Sequence, residues 1–446
     1  MKKIQVLFAA SEAFPLAKVG GLGDVIGSLP RALEKIGLHV GIAMPLYRHL
    51  IPQIKKFKRI ETNVAMPNWE GKSAAFSVYE TRLPRSKVPI FLFHQPDILG
   101  NEGIYLAKNS SLPEQEREGR RFAFFSGIVS AALQKDVLPF YPDIVHTHDM
   151  QTSLLTEKIK EIKVKRRIKT VLTIHNLGSQ GLYRGQNLLG AGLRSANIIT
   201  TVSPTYAKEI TRKEMGMGFD AILRRRGVRG ILNGFDYNAL SVPIPKDKAA
   251  YKKKFQKKHG LRQNTTAPLF AFVARLTDQK GVSLFLPLIS RLIKSHGAQF
   301  AIVGTGDKKL EIELGKLAKH YPREVFTHLE FSEAIAQETY AAADFFLMPS
   351  RFEPCGLGQI IAMHYGTIPI VRDVGGLHDT VRQNKTGFLF KDFSPSALNK
   401  AISSALKVFS DETKFMRMRA NASRENFSWA ASAKQYKAVY ERLLKD

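Results

Sequence analysis

The chain has 446 residues, which predicts two or three domains at roughly 100–200 residues per domain. An apolar fraction of 44% is typical of a globular protein and excludes wholesale disorder. The net charge of +28 attracts anions, but the cations are spread along the chain, which favours an ordinary basic surface over a nucleic-acid-binding face. A single cysteine, Cys355, excludes a disulfide framework within the monomer and predicts a reducing, cytoplasmic location.

The first ten residues, MKKIQVLFAA, combine two lysines with an apolar stretch and so resemble a short signal peptide. Gln5 interrupts the stretch and Glu12 ends it, which favours a buried first strand instead. Elsewhere no uninterrupted apolar stretch approaches the ~18 residues of a membrane-spanning helix. The sequence therefore predicts no membrane association.

The first half of the chain alternates short apolar runs with amphipathic segments. The runs predict buried strands at 4–10, 40–44, 90–93, 144–147, 170–174 and 198–202, with a helix at 24–36. Ser203-Pro204 begins another helix, because Ser caps and Pro fits the first turn. Residues 236–264 contain prolines and a lysine-rich amphipathic stretch, which predict an interdomain connection with one helix and no strand.

A second alternating series follows, with strands predicted at 269–273, 300–303, 325–331, 345–348 and 368–371. Two successive series of this kind predict an α/β protein with two doubly wound domains. In such sheets, ligands bind at the carboxyl ends of the strands.

Three polar groups follow predicted strands of the first half. In the turn Lys18–Asp24, glycines let backbone N–H groups approach an anion and Lys18 adds positive charge, although a plain strand-to-helix turn explains the pattern equally. His148-Asp149 and His175-Asn176 end two strands and predict a polar pocket. The spacing of these residues does not favour a metal site.

The second half carries charged residues at equivalent places. Arg275 and Lys280 follow its first strand and suit a diphosphate, or are ordinary surface cations. Glu353 is predicted at the N-terminus of a helix over 360–364, where it binds sugar hydroxyls, stabilises developing positive charge, or simply caps the helix. Cys355 is interpreted as a small buried side chain rather than a nucleophile.

At these residues the sequence resembles the bacterial glycogen synthase and plant starch synthase family. The similarity extends in order over nearly the whole chain. The segments that carry it are Ala10-Ser11-Glu12, 18–25, 146–149, 173–176, 201–207, 230–234, 275–281, 349–357, 369–372, 375–377, 379–381 and 427–440.

The resemblance implies a GT-B architecture, with two Rossmann-like domains facing a deep cleft. It predicts a first domain over 1–238, a donor-binding domain over 239–425 and a helix over 426–446 that crosses back. It also implies transfer of glucose from ADP-glucose to the non-reducing end of an α-1,4-glucan with retention of configuration, and no metal cofactor. The oligomeric state is left open.

The resemblance also implies roles for individual residues. Asp149 and His175 bracket the glucose, Glu353 supports the transition state, and Arg275 and Lys280 stabilise the leaving diphosphate. Tyr105 is placed on the acceptor side. The remaining donor-site residues are Lys18, Gly20, Gly21, Asp24, Asn233, Cys355, Gly356 and Leu357.

The sequence departs from the family pattern at several positions. Met150 stands where an aromatic is usual, Val19 replaces Thr, residues 235–245 lack a Trp-Asn-Pro element, and Arg117-Glu118 replace acidic and amide residues. The charged residues are complete, which favours an active enzyme over a non-catalytic glucan-binding relative. A UDP-glucose donor or another acceptor remains the enzymatic alternative.

Overall fold

The computed structural model describes residues 3–100, 103–105, 112–164 and 167–445. The chain divides into two compact units, one of Met1–Gly234 with Ser428–Asp446 and one of Phe235–Phe427. The sequence analysis set the corresponding boundaries at residues 238 and 425. Each unit is built on a sheet with helices, wholly parallel in the second unit and mainly parallel in the first.

The first unit contains a nine-stranded sheet in the order β11-β10-β7-β6-β1-β2-β5-β4-β3. Its strands, with the separate pair β8 and β9, are β1 Gln5–Ala9, β2 His39–Pro45, β3 Lys58–Trp69, β4 Lys72–Arg82, β5 Pro89–His94, β6 Ile144–His148, β7 Lys169–Ile174, β8 Leu182–Tyr183, β9 Gln186–Asn187, β10 Ile198–Thr201 and β11 Arg229–Gly230. All pairings in the large sheet are parallel except β3–β4 and β4–β5. The strands predicted from apolar runs are present, and the β3–β4 hairpin is an addition.

Helices complete the first unit. They are α1 Gly21–Lys35, α2 Leu112–Gln134, α3 Asp149–Ser153, α4 Leu155–Glu161, α5 Leu188–Ser195, α6 Pro204–Glu209 and α7 Asp220–Arg226. As predicted, Ser203 caps α6, accepting a hydrogen bond from the N–H of Tyr206, and Pro204 occupies its first turn. A nine-residue 3-10 helix lies at Arg48–Lys56, and a five-residue π-helix lies at Pro96–Gly100.

The last helix of the chain, Trp429–Leu443, belongs to the first unit and packs against α1. Its apolar face joins the core formed by β1, β2 and α1, where Trp429, Tyr436 and Tyr440 are buried with Leu29 and Leu33. Trp429 also lies against Gly234, where an added Cβ would come within 2.5 Å of the Trp429 backbone. The apolar residues of this last helix therefore complete the hydrophobic core of the first unit.

The second unit contains a six-stranded parallel sheet in the order β14-β13-β12-β15-β16-β17. Its strands are β12 Leu269–Val273, β13 Gln299–Val303, β14 Val325–His328, β15 Phe345–Met348, β16 Ile368–Arg372 and β17 Phe388–Phe390. The prediction that β14 extends to residue 331 was wrong, because the strand ends at His328 and Ser332 caps the next helix. Phe388–Phe390 was not predicted.

The helices of the second unit follow its strands. Numbered in chain order, they are α8 Lys248–Lys258, α9 Val282–Phe285, α10 Ile289–His296, α11 Lys308–His320, α12 Glu333–Ala342, α13 Gly358–His364, α14 Gly375–Thr380, α15 Pro395–Phe409 and α16 Glu412–Ser423. The last helix, Trp429–Leu443 of the first unit, is α17. Short 3-10 turns lie at Tyr237–Ala239, Asp278–Lys280 and Leu286–Leu288. The single helix predicted within 236–264 is α8, where Phe255 is buried.

In each unit the strand order reverses at one point. In the first sheet β1 lies between β2 and β6, and in the second β12 lies between β13 and β15. Because crossovers on either side of such a point leave in opposite directions, the carboxyl ends of these strands form a crevice where ligands bind. The loops after β1 and β6, and those after β12 and β15, are therefore where function is expected in each unit.

Candidate active site

In the first unit, Glu12 anchors the loop after β1 from within the protein. Its Oε2 accepts hydrogen bonds from the N–H groups of Val19, at 2.7 Å, and Gly20, at 3.0 Å. The glycine turn was predicted to offer such N–H groups to a ligand anion. These two N–H groups are bonded to a buried protein carboxylate, so the contact of the turn with a ligand anion stays a prediction for the other groups of the turn.

The other oxygen of Glu12 accepts a hydrogen bond from the phenol of Tyr105 at 2.5 Å, and that phenol lies 2.9 Å from the hydroxyl of Ser11. Burial, together with the charge of Glu12, raises the pKa of Tyr105 well above its ordinary value. Tyr105, predicted on the acceptor side, thus fixes the carboxylate that holds the turn. Glu12 was not predicted as a functional residue, although a carboxylate in the loop after β1 was a signal.

Lys18 projects from the same loop and forms an ion pair with Asp24, at 2.7 Å. Both side chains are about one-third exposed, so the pair is accessible to solvent and to ligands. The ammonium also lies 5.3 Å from the centre of the Phe14 ring. Gly20 and Gly21 have open space where a side chain would be, which leaves this surface of the turn free for a ligand.

The loop after β6 is built around Asp149, which adopts a left-handed backbone conformation with φ of +51°. Such a conformation is uncommon for a residue other than glycine and marks a constrained position. The Oδ1 of Asp149 accepts hydrogen bonds from the N–H groups of His175, at 2.6 Å, and Asn176, at 3.2 Å. The carboxylate therefore joins the ends of β6 and β7.

Burial raises the pKa of Asp149 to about 7, although the two backbone N–H groups favour its charged form. Burial lowers the pKa of His175 to about 3, so its imidazole is neutral near pH 7. The Nε2 of His175 lies 3.0 Å from the Nδ1 of His148, so one of the two rings donates and the other accepts. The predicted polar pocket at these strand ends is present.

Below this pair, His146 connects the sheet to the last helix. Its Nδ1 lies 2.7 Å from the hydroxyl of Tyr440, and its Nε2 lies 2.6 Å from that of Thr173. The rings of His146 and His148 stack at 4.4 Å. Burial lowers the pKa of both residues well below the ordinary histidine value, so this column of rings is uncharged near pH 7.

Asn233 lies at the end of the first unit, after β11. Its N–H donates to the carbonyl of Val202, at 3.1 Å. Its Oδ1 is buried and has no hydrogen-bond partner among the described residues. An orphaned polar atom of this kind is costly unless a ligand or water satisfies it, which suits the predicted contact with a sugar.

In the second unit, Lys280 and Glu353 form an ion pair of 2.6 Å between the loops after β12 and β15. Ser350 donates a second hydrogen bond to the same carboxylate oxygen, at 3.0 Å. The predicted position of Glu353 at a helix N-terminus was wrong, because α13 begins only at Gly358. The lysine and the serine hydroxyl, rather than a helix end, hold the carboxylate.

Arg275 lies five residues before Lys280 in the same loop and is exposed. Among the described residues no hydrogen bond or ion pair of its guanidinium is present, so its donors are available to an anion. The two cations predicted to bind a diphosphate therefore differ. Arg275 is open to solvent, whereas Lys280 is bound to Glu353 and is only 14% exposed.

Glycines allow the loops of the second unit to pack together closely. An added Cβ at Gly281 would come within 2.1 Å of the Pro349 carbonyl oxygen, and one at Gly376 within 2.1 Å of the Cys355 carbonyl oxygen. The N–H of Gly376 donates to the Glu353 carbonyl, at 3.1 Å. The three loops after β12, β15 and β16 thus form one rigid layer around Glu353.

Cys355, Gly356 and Leu357 complete the loop after β15. Cys355 is buried, as predicted, and forms no disulfide in the described part of the chain. Gly356 has φ of +77°, and an added side chain would contact the amide of Gln359. That amide donates to the carbonyls of Cys355 and Gly356, at 3.1 and 3.0 Å, and so fixes the turn that leads into α13.

Within the described ranges, no three or more His, Cys, Asp or Glu side chains are grouped so as to hold a metal ion. No helix in the described part of the chain has the length and apolar character needed to cross a membrane.

Two family models match the chain. Residues 5–225 match the starch synthase catalytic domain, and residues 253–425 match glycosyl transferases group 1. The chain is 35% identical to a glycogen synthase of Kosmotoga olearia, over 99% of this chain and 98% of that protein. It is 36% identical to a glycogen synthase of Thermodesulfovibrio yellowstonii, with the same coverage of both proteins.

A solved structure gives the same answer for the fold. The catalytic domain of starch synthase IV from Arabidopsis thaliana, bound to ADP and acarbose, is similar with a TM-score of 0.86 and 28% identity over the full length of both chains. A sucrose-phosphate synthase from Thermosynechococcus elongatus shares the fold with a TM-score of 0.64 at 19% identity. The two Rossmann-like units are those of the GT-B glycosyltransferases. The chain belongs to the glycogen synthase and starch synthase family of glycosyltransferases.

Proposed function

We propose that the protein is a glycogen synthase that transfers glucose from ADP-glucose to the non-reducing end of an α-1,4-glucan with retention of configuration. The observation that carries the proposal is the Lys280–Glu353 pair, held within the rigid loops at the switch point of the second unit. It accompanies full-length similarity to glycogen synthases. The similar starch synthase IV structure contains ADP and acarbose, which supports the choice of nucleotide and of a glucan acceptor.

The second unit supplies the charges that the reaction needs. Departure of a nucleoside diphosphate builds negative charge on the leaving oxygen, and preorganised cations stabilise such charge without rearrangement. Arg275 grips phosphate oxygens with its planar fork, and Lys280 offers a point charge. Glu353, fixed by Lys280 and Ser350, accepts hydrogen bonds from glucose hydroxyls and stabilises positive charge developing at the anomeric carbon.

The first unit supplies groups suited to a neutral sugar. Asp149 fixes the backbone at His175, whose neutral imidazole and carbonyl are assigned to the glucose. Asn233 offers an unsatisfied carbonyl oxygen. Lys18, Asp24 and the Gly20-Gly21 turn are assigned to the donor. Tyr105, which holds the loop after β1 through Glu12, is assigned to the acceptor side.

The test is the incorporation of labelled glucose into glycogen or maltooligosaccharide without added metal, with ADP-glucose and UDP-glucose compared at equal concentration. Transfer from ADP-glucose is expected. Transfer from UDP-glucose alone would retain the class of enzyme and overturn the donor. No transfer from either donor, with folded protein and several primers, would overturn the proposal in favour of a glucan-binding relative. We place the reaction in the cytoplasm, since a chain with one cysteine cannot form an internal disulfide and suits a reducing compartment.

A further inference from the structure

Apart from the loops of the candidate active site, the second unit contains a pocket. It lies at the end of the sheet opposite to Glu353. It is lined by Pro268 and Asp344, which directly precede β12 and β15, and has a volume of about 530 Å³. The strand β15 separates Asp344 from Pro349, a span of about 16 Å at the rise of an extended chain. The pocket is therefore distinct from the loops that carry the candidate active site.

One of the cations in this pocket is already neutralised. Lys252 is buried, and its ammonium donates to Asp344, at 2.5 Å, and to the carbonyls of Thr265, at 2.9 Å, and Ala267, at 2.5 Å. These three bonds use all three of its N–H donors. This lysine is accordingly part of the structural frame and leaves no donor for a ligand.

Two other cations, Lys248 and Arg419, have only neutral acceptors. The ammonium of Lys248 donates to the Tyr365 carbonyl, at 2.7 Å, and to the Thr367 hydroxyl, at 2.5 Å, which leaves a third N–H. The Nε of Arg419 donates to the Gly366 carbonyl at 3.0 Å. Its Nη2 is buried and has no hydrogen-bond partner in the described part of the chain.

The pKa shifts of Lys248 and Arg419 also indicate that no carboxylate of the described residues is paired with either cation. Burial, and next the charge of Arg419, lower the pKa of Lys248 well below that of an ordinary lysine. Burial also lowers the pKa of Arg419. Glu412, the pocket's other carboxylate, is exposed at the first residue of α16 and forms no ion pair with either cation among the described residues. The charge of Asp344 favours the charged forms of Lys248 and Arg419 but does not offset these effects, so a bound anion would stabilise both cations further.

The remaining wall of the pocket is apolar and aromatic. Phe409 and Phe415 pack edge to face at 4.9 Å, and Met416 beside them is 53% exposed. The guanidinium of Arg419 lies 5.1 Å from the centre of the Phe415 ring, which orients its planar fork. A cationic end next to an aromatic wall suits an anionic group carried on a larger body.

We propose that this pocket binds a small phosphate-bearing molecule, whose phosphate oxygens accept hydrogen bonds from Arg419 Nη2 and the remaining N–H of Lys248. Arg and Lys together are the usual pair for phosphate, since one donates in a planar fork and the other acts as a point charge. The molecule's body lies against Phe409 and Phe415. The site is independent of the proposed transfer reaction.

The experiment measures the thermal shift of the full chain during titration with inorganic phosphate and with phenyl phosphate, at constant ionic strength. The variants compared leave the candidate nucleotide site intact, so phosphate bound there contributes equally to every titration and cancels in the comparison. Wild-type protein is compared with Arg419→Gln and with Arg417→Gln, a matched control that removes an exposed charge from the same helix. Saturable stabilisation is expected in wild type and in Arg417→Gln, and affinity about tenfold weaker in Arg419→Gln.

Lys248→Gln provides a second variant in case Arg419→Gln folds poorly, and it is expected to weaken binding as well. Tighter binding of phenyl phosphate than of inorganic phosphate, with no shift from phenol, would assign an organic phosphate. Equal binding would assign inorganic phosphate itself. The proposal is overturned if wild type shows no saturable shift, or if the shift is unchanged in both Arg419→Gln and Lys248→Gln. Since the readout does not involve glucose transfer, failure here leaves the proposed function untouched.

Discussion

The two units place their candidate site residues at the same point of a similar sheet, yet the electrostatics of the two sets differ. In the first unit, His148 and His175 are neutral and Asp149 is satisfied by backbone N–H groups. In the second unit, Lys280 and Glu353 are held as an ion pair and Arg275 is exposed. The same topology thus supports a buried, neutral pair of imidazoles in the first unit and a set of charged groups in the second.

The difference in charge between the two sets of site residues comes from how each unit holds its loops in place. The first unit uses buried side chains to hold its backbone, and burial removes charge from imidazoles. The second unit uses glycines to bring three loops together, and within that layer Lys280 and Glu353 form a largely buried ion pair, while Arg275 is exposed. Because charge acts most strongly where it develops in the reaction, substitutions in the second unit should affect turnover more than those in the first.

The largest effect is expected for Glu353→Gln. The substitution keeps the shape of the side chain but removes its charge, both toward Lys280 and toward the reacting sugar. We expect the rate of glucose transfer to fall by about 10²–10³-fold with the melting temperature little changed. The measurement is labelled glucose incorporation under saturating donor. The control is Glu324→Gln, which breaks only a surface pair with Arg262, and a Glu353→Gln enzyme with more than a tenth of wild-type turnover would contradict the assignment.

A smaller effect is expected for Glu12→Ala, which removes the anchor of the loop in the first unit. The N–H groups of Val19 and Gly20 and the phenol of Tyr105 would lose their shared acceptor. We expect kcat/KM for the donor to fall about tenfold, mainly through a higher KM, since the loop is loosened without loss of a reacting group. Glu12→Gln keeps one acceptor oxygen and should restore most of the activity. Equal loss in both variants would show that charge, and not the anchor, matters.

The buried imidazoles of the first unit predict sensitivity to acid. In the folded protein the pKa of His175 is about 3, whereas the unfolded chain takes up this proton near pH 6.5, so the unfolded state binds more protons between these values. The stabilisation that comes from the neutral His175 is fully present above pH 6.5. As the pH falls below that value, the free energy of unfolding decreases by about 1 kcal/mol per pH unit. Asp149, with its raised pKa of about 7, acts in the opposite direction over an overlapping range.

His146 and His148 act in the same direction as His175, so acid destabilisation should prevail. Urea unfolding at a series of pH values between 5 and 7.5 measures it. The variant His148→Gln should show a shallower dependence than wild type. A free energy of unfolding that rises as pH falls through this range would contradict the neutral, buried state of these rings.

The smallest effect is expected for Cys355→Ser. The thiol is buried beneath the loop that carries Glu353, and its carbonyl, rather than its sulfur, makes the hydrogen bond from Gln359. We expect turnover within about threefold of wild type, because the change in volume is small. Complete loss of transfer in a folded variant would overturn the structural role of this residue, and would mean that the second unit carries a nucleophile.

Much of the fold follows from local apolar runs, and the exceptions have a physical reason. The strands Leu269–Val273 and Phe345–Met348 are buried throughout or nearly so, and their bounds were predicted without error. The β3–β4 hairpin was missed because its strands are partly exposed. In β4 only Phe76 and Val78 are buried, which leaves no continuous run to recognise.

The candidate site shows a similar division. The residue types after strands indicated where ligands bind, but the pairs they form join residues far apart in sequence. Tyr105 meets Glu12 across 93 positions, and Lys280 meets Glu353 across 73. Nothing local specifies such a pairing. For this reason Glu12 was overlooked, and the support of Glu353 was assigned to a helix end.

The first unit is discontinuous, since its last helix, Trp429–Leu443, is separated from the rest by the entire second unit. During synthesis on the ribosome, the sheet of the first unit is therefore made long before the helix that covers α1 and binds His146 through Tyr440. The apolar surface beneath that helix, including Leu29 and Leu33, therefore stays exposed to solvent while the second unit is translated. Folding of the first unit is thus completed only at the final stage of translation, and until then its exposed apolar surface is a binding site for chaperones.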